Sequence, residues 1–150
     1  MEQKGSQGAD SIIAAVRAWL SECELLGEIP SKKRFIDWTA ADSENYGIFP
    51  DGDILLKKFI NGGGKRQYNF TLCINRITAE DDMRLRNAAF LERLQNWCGD
   101  KTIAHELPQL PSGMNCTKIE AANGMLAEIP PGKKYGKYLI QFKLFYMKGR

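Results

Sequence analysis

The residue types able to do chemistry are few in this 150-residue chain and stand apart from one another. His105 is the single histidine, so any Ser-His-Asp or Cys-His relay has to pass through it. It lies in a loop-like stretch with no nucleophile signature beside it, and a surface or packing role is the simpler reading. The four cysteines, Cys23, Cys73, Cys98 and Cys116, form no CxxC pair and have one histidine between them to complete a metal site. Each falls in a helix or strand pattern, which predicts buried, reduced thiols and with them a cytosolic setting. Glu80, Asp81 and Asp82 could attract a divalent ion, but acids in a first helical turn are explained by the helix dipole. Asn61-Gly62-Gly63-Gly64-Lys65 invites a phosphate-loop reading. It lacks the GxxxxGK[ST] spacing and leads into a strand, not into the helix whose N-terminus holds a phosphate, so a hairpin turn is expected instead. No catalytic, cofactor-binding or metal-binding residue is assigned, and the chain is expected to act without enzymatic chemistry.

The remaining chemistry is charge. Basic residues fall in three groups at expected loops or hairpin ends: Lys32, Lys33 and Arg34; Lys57, Lys58, Lys65 and Arg66; Lys133, Lys134 and Lys137. They could meet a neighbouring subunit or nucleic acid, or they could solubilise the surface and protect a strand edge. The net charge of +3, from 21 basic and 18 acidic residues, is too mild to argue for nucleic acid by itself. Trp19, Trp38 and Trp97 read as core or interface anchors.

A chain of this length is most simply one domain, burying roughly 70% of the surface its unfolded form exposes. Its 43% hydrophobic and 26% charged content is ordinary for a soluble protein. No apolar run approaches the roughly 20 residues of a membrane-spanning helix, so no membrane role is expected. Residues 1–9 are polar and contain glycine; they read as a flexible tail ahead of a single domain at 10–150, without a secretory or targeting pattern.

Around these groups the elements follow from spacing. Asp10 is a good N-cap, and Ile12, Val16, Trp19, Leu20, Cys23 and Leu26 form one stripe of a helix of about four turns, closed by Gly27. Phe35-Ile36-Asp37-Trp38-Thr39 reads as a short strand, and 40–50 as a loop or irregular edge anchored by Tyr46, Ile48 and Phe49. Strands at 54–60 and 67–77 flank the glycine turn, the second alternating Tyr68, Phe70, Leu72 and Ile74 against polar neighbours. Thr78-Ala79-Glu80-Asp81 resembles a capping box, and Met83, Asn87, Phe90, Leu91, Leu94 and Trp97 recur at helical spacing until Gly99 closes the element. Leu107-Pro108-Gln109-Leu110-Pro111 is a connector. Strand character follows at 115–121 and 125–129, Pro130-Pro131-Gly132 turns the chain, and Tyr138, Ile140, Phe142, Leu144 and Tyr146 alternate along a last strand with a central or partly covered position. The order predicts an α+β fold: a mostly antiparallel sheet with two main helices packed on one face.

The succession of Trp19-Leu20, Phe35-Ile36-Asp37, Asn45-Tyr46-Gly47-Ile48, Ile54-Leu55-Leu56-Lys57-Lys58-Phe59-Ile60-Asn61-Gly62-Gly63, Phe70-Thr71-Leu72, Asn87-Ala88-Ala89-Phe90 through Trp97, Leu107-Pro108-Gln109-Leu110 and the closing strand to Tyr146 resembles a known family. It is the minor capsid or tail-terminator (tail completion) family of tailed bacteriophages and prophages of Gram-positive bacteria. The resemblance spans nearly the whole chain after residue 9, through hydrophobic patterns and a few polar markers, none tied to chemistry.

The resemblance implies a tail-terminator-like fold whose subunits form a homo-oligomeric ring, often a hexamer, at the head-proximal end of the tail. Its partners would be the tail-tube protein and the head-tail connector, and its location the virion tail or head-tail junction, with the bacterial host cytoplasm during assembly. A closed ring needs two different, matching surfaces on each subunit. The expected subunit or tube contacts are the hairpin and the loop at 42–51, with Tyr46, Phe49, Lys57, Lys58, Asn61, Gly63, Lys65 and Arg66 as candidates. The alternative, prompted by the basic tips, is a small nucleic-acid-binding or DNA-packaging accessory protein.

Overall fold

Ser11, not Asp10, starts the first helix: its side chain accepts a hydrogen bond from the Ala14 amide at 3.2 Å. The computed structural model describes residues 10–27, 29–40, 44–129, 132 and 134–149. The tail at 1–9, Pro130, Pro131 and Lys133, about which expectations were stated above, lie outside the described residues. Helix α1 spans Ile12–Leu20 and is shorter than its stripe predicts. The hydroxyl of Ser21 donates back to the Ala18 carbonyl, competing with continued helix, and the chain re-enters as a 3-10 turn at Glu24–Leu26. Cys23 and Leu26 still reach the core, so the apolar spacing survives the break in the backbone.

Five strands form one sheet in the order β1-β2-β3-β5-β4: β1 Arg34–Ile36, β2 Asn45–Lys58, β3 Gly64–Ile77, β4 Met114–Glu128 and β5 Tyr135–Lys148. Only β1 and β2 run parallel; the other pairs are antiparallel. The expected loop at 40–50 is in its second half strand. Tyr46 and Ile48 alternate into the core while their backbone pairs with β1 on one side and β3 on the other. Gly47 permits the arrangement, because a Cβ there would stand 2.1 Å from the Trp38 carbonyl oxygen.

Between β3 and β4 runs α2, Asp81–Ile103, longer at its C-terminal end than Gly99 suggests. Cys98 and Thr102 explain the extension, since Cys98 is fully buried and Thr102 bonds to the β4 backbone one turn later. The N-cap is Glu80; Thr78 instead bonds through its amide to the Lys134 carbonyl at 2.8 Å. Asn87 sits on the buried stripe with its polar atoms paired. It donates to the Ile77 carbonyl and the Tyr138 hydroxyl, and accepts from Arg76 Nε.

Both helices bury their apolar faces against the same side of the sheet, the α+β arrangement the element order implies. Phe70 and Phe142 stack at 4.8 Å in the middle of that core, flanked by Leu72, Ile74, Ile140 and Leu144. Trp19 and Trp97 meet at 4.6 Å where the helices approach, and the Trp19 indole donates to the Glu106 carbonyl at 2.8 Å. Trp38 stands outside this core, more than half exposed and edge-on to Phe35. β5 holds the central position expected of it, between β3 and β4.

Candidate functional site

The two long edges of the sheet are treated differently. Along β4 the outward backbone is met by α2: the Thr102 hydroxyl donates to the Ile119 carbonyl at 2.9 Å and accepts from the Ile119 amide at 3.2 Å. Farther along, the Gly124 amide donates to the Gln95 side-chain oxygen at 3.2 Å. Covering an edge with side chains of a neighbouring helix blocks the pairing of a foreign strand. On the opposite side β1 pairs with β2 only from Tyr46 to Ile48, and the Asp37 amide closes that ladder on the Ile48 carbonyl. Beyond it, no strand among the described residues pairs with the outer side of β2.

Every residue at 50–58 is exposed, including the apolar run Ile54, Leu55 and Leu56, each with 44–47% of its surface accessible. Two acids precede this run, Asp51 and Asp53, and two lysines follow it, Lys57 and Lys58. β2 departs from regular register against β3 twice, between Pro50 and Asp53 and between Leu55 and Lys57. Gly52 supplies the positive φ of 112° at the first irregularity.

The turn closing this hairpin is the glycine run, and it is a hairpin turn. The Gly62 amide donates to the Phe59 carbonyl, the Phe59 amide to the Gly63 carbonyl, and the Gly63 amide to the Asn61 side chain. Ile60 stands fully exposed at its tip. The hairpin is not a free arm, however. β3 pairs with β5 along its whole length, from Gly64 against Lys148 to Ile77 against Tyr135, so only the turn itself reaches past the ladder. A shallow recess of about 330 Å³ lies there, lined by the turn glycines with Leu55, Lys58, Arg66 and Lys148.

The candidate contact residues separate into two sets. Lys57, Lys58, Asn61 and Lys65 are exposed on the hairpin, and Lys148, which the sequence did not single out, joins them from β5. Gly63 is buried within the turn and Phe49 is half-buried on the face away from the helices. Tyr46 is a correction: it is fully buried in the core, so it offers no surface to a partner. Its hydroxyl has no hydrogen-bond partner among the described residues, and burial pushes its phenol up from the ordinary tyrosine value. The expected contact loop at 42–51 is likewise not a loop where it is described, since 45–51 belongs to β2. Arg66 is held by Asp53, Nε to Oδ1 at 3.3 Å, and Asp53 also accepts from the Tyr146 hydroxyl at 2.9 Å.

The basic groups do not merge into one patch. The hairpin lysines lie at one end of the strands, while Arg34, Lys134 and Lys137 lie toward the other, about 30–45 Å away along the strands. Arg34 is spent in part on the Ile29 carbonyl at 2.8 Å. His105 is exposed with φ of 58°, one residue past the C-cap of α2. Asp81 pairs with Arg84 in the first turn of α2, and no cluster of metal-ligating side chains occurs among the described residues. All four cysteines are free and buried.

No described helix is long and apolar enough to cross a membrane. No protein-family model matches the chain, and no curated protein matches it.

Proposed function

We propose that the chain is a structural virion protein of a tailed phage or prophage, a tail terminator or minor capsid protein that closes into a ring at the head-proximal end of the tail and acts by binding alone. The observation that carries this reading is the open half of β2 with its exposed Ile54-Leu55-Leu56 run and lysine-rich turn, beside a sheet whose other edge is capped. An open edge of this kind gives each subunit one surface for backbone pairing with a neighbour or the tube, whose own contact surface must then be something other than the guarded β4 edge. The family resemblance supplies the ring, the tube and the connector as partners. Electron microscopy of the protein mixed with its tail tube tests the proposal, with rings on tube ends as the expected result. Lys58→Glu with Lys65→Glu should weaken that capping, whereas bare tubes beside the wild-type protein overturn the reading.

The lysines at 57, 58, 65 and 148 favour a second reading, binding to a nucleic-acid backbone. A steep fall of DNA affinity with salt would support it, and absence of binding at low salt would remove it.

A further inference from the structure

We propose that two copies of the chain pair through the open half of β2, as antiparallel strands about a twofold axis at Ile54. The backbone at 51–58 has no partner strand on its outer side among the described residues. An edge of this kind, carrying three exposed branched aliphatic side chains, is a template for another strand. Its sequence selects the strand. Asp51-Gly52-Asp53-Ile54-Leu55-Leu56-Lys57-Lys58 is acidic, then apolar, then basic. Antiparallel pairing reverses the order, so that, centred on Ile54, Asp51 of each copy lies opposite Lys57 of the other and the two Ile54 side chains meet on the axis.

The irregularities of β2 fix the register. Gly52 and Leu56, one within each shifted segment, lie equally far on either side of Ile54. Centred on Ile54, the departures of one strand oppose those of its mate and the ladder stays in step through both. Side-chain faces agree. Ile54, opposite Gln67, points away from the helices and meets Ile54 of the other copy; Asp53 and Leu55, opposite Tyr68 and Arg66, share the helix side and meet each other. Asp51 then falls in the row of Lys57. Pro50 has no amide to donate and marks where the pairing stops.

Continuing the sheet head to tail instead, β2 onto β4, meets the backbone groups of Ile119 and Gly124 that Thr102 and Gln95 already occupy. The twofold pair is closed, because each copy commits its open edge to the other. It stands apart from the tail-terminator reading; where both hold, the pair is the unassembled form and opens before a ring can close.

Sedimentation equilibrium of the full chain, with charge reversals, tests this. The wild type should be dimeric. Asp51→Lys alone, or Lys57→Asp alone, brings like charges together twice across the axis and should weaken self-association about tenfold. An equimolar mixture of the two variants restores opposite charges at both positions and should recover a heterodimer. Ile54→Cys should give an interchain disulfide under mild oxidation, and Leu85→Cys, on the exposed face of α2, should not. Circular dichroism establishes that each variant is folded. A wild type that stays monomeric at all concentrations overturns the proposal. So does a dimer indifferent to both reversals and to oxidation of the Ile54→Cys variant. Rings on tails without the twofold pair, or the pair without rings, separates the failure of one proposal from that of the other.

Discussion

The Tyr146 hydroxyl donates to Oδ2 of Asp53 at 2.9 Å, joining β5 to β2 across β3, which lies between them. Arg66 of β3 bonds the other oxygen of the same carboxylate, so one acid ties three strands just below the hairpin turn. This fastening ties the exposed half of β2 to β3 and β5 between its two register shifts. Tyr146→Phe removes one charge-assisted hydrogen bond to a partly exposed acid, and a loss of about 1 kcal/mol is expected in urea unfolding at neutral pH. Burial first, and then the neighbouring Asp53, push the phenol from 10.0 up to about 12. The unfolded phenol ionises first as pH rises, so this stabilisation is complete below pH 10 and lost on the way to pH 12. The variant should lack that alkaline step.

Burial likewise raises the Cys98 thiol from 9.0 to about 12, and that of Cys116 to about 12. Both folded values lie above the unfolded one, so the contribution is present below pH 9 and disappears as pH climbs toward 12. Cys98→Val should reduce the decline of unfolding free energy with pH in that window by about 1.4 kcal/mol per pH unit, the worth of one proton. At neutral pH all four thiols should react slowly in the native protein and fully in denaturant.

Tyr46→Phe should leave stability unchanged or raise it by about 1 kcal/mol. The hydroxyl is buried without a partner among the described residues, so removing it returns a desolvation cost and breaks no described bond. Chemical denaturation of the two proteins decides the matter. A loss greater than about 1 kcal/mol would mean that the hydroxyl is hydrogen-bonded after all.

Patterns with a single burying face were legible from the residues. Tyr138 to Tyr146 alternate as a central strand should, and Asn87, Phe90, Leu91 and Leu94 share one buried stripe of α2. Where local chemistry and tertiary contact disagree, the contact prevails. Gly99 is a reasonable helix stop, yet packing of Cys98 and the hydroxyl of Thr102 carry the helix one turn further. Asn45, Gly47 and Pro50 have the composition of a loop, but Tyr46 and Ile48 are pulled into a strand by partners on both sides. For the candidate surface, the lysines and the glycine turn could be read directly. The open edge could not, because it exists only through the short reach of β1, and neither could the capped edge, whose side-chain partners lie 17 and 29 residues away in sequence.

That capped edge gives the remaining prediction. Thr102 is half-buried near the end of α2, and its hydroxyl both donates to and accepts from the backbone of Ile119. Thr102→Val keeps the shape of the side chain and removes both bonds, leaving the Ile119 amide without its partner and the Ile119 carbonyl with the weaker Cys98 thiol donor at 3.5 Å. The expected cost is about 1–3 kcal/mol in urea unfolding. Gln95→Ala frees the Gly124 amide as well, and the doubly substituted protein should present β4 as a second open edge. Light scattering should then show concentration-dependent assembly beyond the dimer, because a subunit with two available edges can propagate where a subunit with one can only close. A double variant that is destabilised but assembles no further than the wild type would place the protection elsewhere, in the register shifts of β4 itself.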